Sequence, residues 1–113
     1  MLKNLSESEF VRRTHGGCRT PVYREFLADR ETPVAILTRV AADASVFLLE
    51  SVSGGENPGR YSYLGVDPYA VVEARPGEPP LAQVKAALGA RSFAPAPELP
   101  SLQGGAIGYL AYD

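Results

Sequence analysis

Ser45-Val46-Phe47-Leu48-Leu49-Glu50-Ser51 is the stretch on which the fold turns. It is β-branched and aromatic at its start and apolar through its middle, which predicts a strand. In an extended strand Phe47, Leu49 and Ser51 share one face, and Val46, Leu48 and Glu50 share the other. One face therefore sets an apolar wall, Leu49, beside the small hydroxyl of Ser51. The other carries a carboxylate in an otherwise apolar strand. A carboxylate buried or half-buried there needs a partner. Two partners fit, Arg60 from the following strand or the ammonium of a bound ligand, and the residues alone leave the choice open.

Downstream, Ser53 to Gly59 is rich in glycine and ends in Asn57-Pro58-Gly59, so it reads as a wide hairpin loop. It lacks a Lys-Ser/Thr pair and opens no helix, which argues against a phosphate cradle. Arg60 to Val66 alternates and reads as the returning strand, broken by Asp67-Pro68. Tyr69 to Arg75 reads as a third strand, making an antiparallel meander. Pro76-Gly77-Glu78-Pro79-Pro80 is a turn. Leu81, Val84 and Leu88 then fall at helical spacing over about two turns. Ala94 to Pro100 reads as an extended connector. Gly104 to Asp113 reads as a further strand, and an apolar strand without a cap or tail at the chain's end reads as a piece of a longer protein.

Upstream, Thr32-Pro33 opens a helix, with threonine as the cap and proline at the first position. Val34, Leu37 and Val40-Ala41 give that helix a stripe for the core. Thr20 to Phe26 is extended from its proline onward. Ser6 and Glu9 form a capping box for a helix over Glu7 to Arg13, ended by Gly16-Gly17. The fold class expected is α/β of the α+β kind, a mainly antiparallel sheet with helices packed on one side.

The bulk properties narrow the function. With 113 residues and 45% hydrophobic content, the chain makes one domain or part of one. Eleven basic and thirteen acidic residues give a net charge of −2, which is no electrostatic footprint for nucleic acid or an acidic membrane. Arg12-Arg13, with Arg19 close behind, reads as a solvated face. Cys18 is the one cysteine, so no disulfide framework exists and a reducing, cytoplasmic setting is expected. His15 stands three residues from it, but no third group orients the pair as a nucleophile and its base would be oriented. No apolar run approaches the roughly 20 residues of a membrane span, and the start, Met1 to Glu7, is too polar for a signal peptide. No His/Cys set marks a metal site, and no spacing marks a catalytic pair. Neither catalytic nor metal residues are assigned.

Several blocks in order resemble the amino-terminal region of anthranilate synthase component I. They are Thr20-Pro21-Val22-Tyr23-Arg24-Glu25, Glu31-Thr32-Pro33-Val34, Phe47-Leu48-Leu49-Glu50-Ser51-Val52, Gly59-Arg60-Tyr61-Ser62-Tyr63-Leu64-Gly65 and Gly104-Gly105-Ala106-Ile107-Gly108-Tyr109-Leu110-Ala111-Tyr112-Asp113. Each block alone is weak; the ordered set, from Thr20 to the end, is specific. The resemblance implies a regulatory and scaffolding segment, part of a layered β-sandwich covered by helices. The chorismate-binding catalytic domain, with its Mg²⁺, would lie beyond Asp113, so this segment alone is expected to be inactive. The implied partners are that catalytic domain, a glutamine amidotransferase subunit and the feedback inhibitor tryptophan. The Leu-Glu-Ser block of the family contributes to the inhibitor pocket, which implies Leu49, Glu50 and Ser51; Arg60 and Tyr61 on the adjoining strand correspond less securely. Two alternatives stand beside this reading. Aminodeoxychorismate synthase component I shares the Arg-Tyr-Ser-like and Gly-Gly…Tyr-Asp-like blocks, although Leu-Leu-Glu-Ser favours the anthranilate branch. A free-standing, non-enzymatic binding domain would share the pattern without the enzyme.

Overall fold

A computed structural model describes residues 2–41, 45–50 and 61–111. The described residues form three α-helices and one two-stranded antiparallel sheet, a small α+β fold. They fall into two compact units. The first joins Met1–Leu27 to Val72–Asp113, and the second is the continuous stretch Ala28–Val71.

The second unit holds the helix α2 (Pro33–Val40) and the strands β1 (Phe47–Glu50) and β2 (Ser62–Gly65). Helix α2 starts as the sequence predicts. Thr32 is extended, its hydroxyl accepts from the Ala35 N–H at 3.1 Å, and Pro33 follows at the first helical position, where a missing N–H costs nothing. Thr32→Ala is expected to cost about 1 kcal/mol, the usual worth of such a cap. Urea unfolding followed through the helical signal checks it, and an unchanged midpoint would remove the cap from the account. The buried stripe differs from expectation: Leu37 is half-buried, but Val34 and Val40 are exposed, and Ile36 turns inward instead. Helix α2 packs against both strands, and the side it presents is set by that contact rather than by the apolar spacing alone.

Strands β1 and β2 pair in the register Phe47 to Gly65, Leu48 to Leu64, Leu49 to Tyr63 and Glu50 to Ser62. The hairpin is therefore as read, with its expected loop at Ser53 to Gly59 outside the described residues. The meander is not completed. Tyr69 to Arg75 forms no strand, and Tyr69 and Val71 are strongly exposed. Two causes are visible. Asp67 takes φ 50°, a left-handed conformation that Asp tolerates better than most residues, and so turns the chain off the line of β2. The stretch also runs across the boundary between the two units, and strand propensity without an adjacent ladder makes no sheet.

In the first unit, α1 (Glu7–Arg13) is capped as expected by Ser6, whose hydroxyl accepts from the Glu9 N–H at 3.2 Å. The capping box is not reciprocal, because the Glu9 carboxylate is taken by arginines one turn on. It accepts from Arg12 Nε at 3.1 Å and Arg13 Nε at 2.9 Å. A 3₁₀ turn (His15–Gly17) follows and ends the helix. Helix α3 (Pro80–Leu88) ends at Gly89, whose φ of 73° suits a residue without a Cβ. Of its expected stripe only Val84 is half-buried; Leu81 and Leu88 are exposed.

The extended segment around Thr20–Phe26 organises this unit without a regular sheet. At one end Asn4 bridges Arg24 antiparallel, with Glu25 N–H donating to the Lys3 carbonyl at 2.7 Å. At the other Arg19 bridges Phe93 in parallel, with Ala94 N–H donating to the Arg19 carbonyl at 2.7 Å. The Ala94–Pro100 connector, extended at first and turning at Pro97-Glu98, is thereby tied down. Ala96 within it is fully buried, the one residue of the core so enclosed among those described. The amide of Gln103 closes over it, accepting from the Ala96 N–H at 2.8 Å and donating to the Ala96 and Pro100 carbonyls at 2.9 and 3.0 Å. The predicted strand from Gly104 is absent over the residues described. Gly105, at φ 129°, adopts a backbone conformation closed to other residues, no partner strand pairs with the segment, and Tyr109 and Leu110 stand exposed.

An ionic network fastens α1 to the connector. Arg13 Nη2 donates to both Glu98 oxygens at 3.1 and 3.3 Å, and the Tyr23 hydroxyl donates to Glu98 as well. Arg13 is thus no solvated surface residue, as the sequence suggests, but an 11% exposed hub. The Glu98–Tyr23 hydrogen bond holds the Glu98 carboxyl below its ordinary range and the Tyr23 phenol above its own. Hydrogen bonds from Arg12 and then Arg13 lower the Glu9 carboxyl from 4.5 to about 2. A carboxyl with a depressed folded-state value stabilises the fold fully above its unfolded value and loses that contribution as pH falls through the folded one. Stability should therefore decline between about pH 4.5 and pH 2. Glu9→Gln should flatten this decline, and parallel curves of unfolding midpoint against pH for the two proteins would exclude Glu9 as its source.

Candidate functional site

The hairpin of the second unit carries the described members of the expected site. Leu49 and Glu50 close β1, and Tyr61 immediately precedes β2. Antiparallel pairing of Glu50 with Ser62 brings these three positions to one end of the ribbon. Ser51 and Arg60 lie outside the described residues, so the Glu50–Arg60 alternative has no geometry here. Leu49 is 41% exposed, Tyr61 is 54% exposed, and Glu50 is exposed.

One expectation about this strand is corrected. Glu50 was expected to be a half-buried carboxylate in need of a partner. It stands in water, where a carboxylate is satisfied by solvent. Burial divides along the strand: Phe47 and Leu48 are half-buried, Leu49 and Glu50 exposed. A two-stranded ribbon twists strongly, so cover at one end of it does not extend to the other.

The reading from sequence missed the aromatic pair on the adjoining strand. The rings of Tyr61 and Tyr63 lie 6.2 Å apart at 40°, a tilted arrangement within the favourable range. Their spacing of two residues, which places side chains on one strand face, was the available signal. Tyr63 is the residue directly across from Leu49. The strand end thus carries the exposed Leu49 with the exposed Tyr61 and half-buried Tyr63 on one face, and the exposed Glu50 carboxylate on the other. Such a set can bind an apolar or aromatic group and a cation. Among the described residues no three His, Cys, Asp or Glu side chains gather as metal ligands do. Cys18, half-buried, is free. Among the described residues no helix is long and apolar enough to cross a membrane.

Fold and site together define a small α+β segment with an exposed hairpin end that carries groups suited to binding. By sequence the chain belongs to the anthranilate synthase component 1 family. It is 39% identical over 108 residues to anthranilate synthase component 1 of Acetivibrio thermocellus, covering 82% of this chain and 22% of that protein. It is 37% identical over 111 residues to the probable anthranilate synthase component 1 of Schizosaccharomyces pombe, covering 97% of this chain and 22% of that protein. Over 72 residues it is 50% identical to the Synechocystis protein of the same name, covering 63% of this chain and 14% of the relative. The chain therefore spans less than a quarter of the length of these relatives. No family model and no solved structure matches it.

Proposed function

We propose that this chain is the regulatory segment of a cytoplasmic anthranilate synthase, supplying one wall of the site at which tryptophan inhibits the enzyme. The whole protein would convert chorismate and ammonia to anthranilate at the start of tryptophan biosynthesis. A glutamine amidotransferase component would supply the ammonia, and the residues for chorismate and Mg²⁺ would lie outside this chain. The observation that carries the reading is the grouping of Leu49, Glu50 and Tyr61 at one open end of the hairpin.

Free tryptophan carries an ammonium, a carboxylate and a flat apolar ring. The exposed Glu50 carboxylate attracts the ammonium, and Leu49 with Tyr61 offers apolar and aromatic surface to the indole. Ser51 supplies a hydroxyl in the same block. Inhibition requires that tryptophan bind one state of the enzyme better than another. A site shared between this segment and the remainder of the protein meets that need, because the ligand then favours one arrangement of the two. The test is Ser51→Phe in the full-length enzyme. It should fill the site and abolish tryptophan inhibition while anthranilate formation continues. Undiminished inhibition would remove this segment from the inhibitor site.

A further inference from the structure

Gly65 is a glycine that its backbone does not explain. Its φ lies outside the left-handed region that favours glycine, and it closes β2 as a paired residue of the ladder, opposite Phe47, where any residue of that backbone could stand. The reason lies across the ladder. A Cβ at Gly65 would fall 2.6 Å from Phe47 Cζ and 2.7 Å from Cδ1, and closer still to Cε1. The aromatic ring of Phe47, its register partner, occupies the space where a side chain would be. No other described glycine has a neighbour this close; at most of them a Cβ would meet nothing within 4 Å.

We infer that Gly65 is a positioning residue: by admitting the Phe47 ring it locks the β1–β2 register that sets Leu49 and Glu50 beside Tyr61. An aromatic ring laid over a cross-strand glycine pins register in sheets generally. A slip of one residue would turn Leu49 and Glu50 each to the face opposite its present one, and a slip of two would carry them past Tyr63 and Ser62. The pair also lies at the half-buried end of β1, away from the candidate site, so it acts on Leu49 and Glu50 only through the ladder.

For the role in inhibition, this inference rests on the reading of the hairpin end as a tryptophan site, and the experiment separates the two. Gly65→Ala, Phe47→Ala and the double variant are made in the full-length protein. Hydrogen exchange at the amides of residues 47–50 and 62–65 and the tryptophan concentration for half-inhibition are measured for each. Gly65→Ala should speed exchange in both strands at least tenfold and raise the half-inhibiting concentration at least tenfold. Adding Phe47→Ala, which empties the space the new methyl needs, should recover most of both losses. If Gly65→Ala exchanges like the unmodified protein, or if the double variant recovers nothing, the lock is overturned. That second criterion also decides the case in which Gly65→Ala fails to fold. If exchange is lost and recovered while tryptophan inhibition never changes, the lock stands and the inhibitor-site reading falls.

Discussion

Gln103→Ala is expected to destabilise the first unit by about 2 kcal/mol, the orphaning of one buried backbone donor. The Ala96 N–H, in a fully buried residue, has the Gln103 oxygen as its acceptor at 2.8 Å. Alanine leaves that donor with nothing, and an unmade buried hydrogen bond costs roughly 1–3 kcal/mol. The Ala96 carbonyl is less exposed to loss, because it also accepts from the Leu99 N–H at 3.1 Å. The Pro100 carbonyl loses the Gln103 amide at 3.0 Å but remains at the edge of the connector, within reach of water. Against a typical domain stability of about 5–15 kcal/mol this is a large fraction. Urea unfolding measures it, and a loss below about 0.5 kcal/mol, the ordinary scatter of surface substitutions, would mean that the amide does not hold the connector. Gln103→Glu offers a sharper comparison. It keeps the acceptor for Ala96 N–H but sets a carboxylate against two carbonyls, so its stability should improve on acidification where that of Gln103→Ala does not.

The second large effect belongs to the candidate site. Glu50→Lys in the full-length enzyme should weaken tryptophan inhibition at least tenfold, with anthranilate formation retained. Two unit charges about 4 Å apart interact by about 1 kcal/mol in water and about 4 kcal/mol near a protein surface. Reversing one of them turns attraction into repulsion and doubles the difference, so even the aqueous figure exceeds the ~1.4 kcal/mol of a tenfold change. Glu50→Gln removes the charge alone and should have the smaller effect, and the gap between the two should narrow as salt is added. Inhibition by tryptophan at the unmodified concentration in Glu50→Lys would show that the carboxylate does not face the ligand.

The elements that the sequence revealed are those whose signals are local. Ser6 and Thr32 mark helix starts by side-chain hydrogen bonds reaching three residues on, and Gly16-Gly17 marks an end by backbone conformation. The Phe47–Glu50 strand and its Ser62–Gly65 partner were readable because they flank one loop and supply each other's ladder. Tyr69 to Arg75 and Gly104 onward are similarly rich in apolar residues but join no β-ladder among the described residues, and composition cannot report whether a ladder forms. Arg13 was misread for the same reason: its partner Glu98 is 85 residues away. The candidate site was legible only through blocks recurring in order. The apolar run around Glu50 suggested a half-buried carboxylate, but in a short twisted ribbon cover varies along the strand.

The two units differ in one more respect. The second is an uninterrupted run, Ala28–Val71, and its strands meet after about a dozen intervening residues. The first is closed by contacts between distant residues, Arg19 with Phe93 and Arg13 with Glu98, loops whose closure costs about 2 kcal/mol more in chain entropy than that of the hairpin. Synthesis from the amino terminus delivers every residue of the second unit before Glu98 is made, and helix α1 must wait for its ionic partner. The order of assembly of the two units is thus written into the connectivity: the hairpin that carries Leu49 and Glu50 has its partners early, and the long-range contacts of the first unit come later.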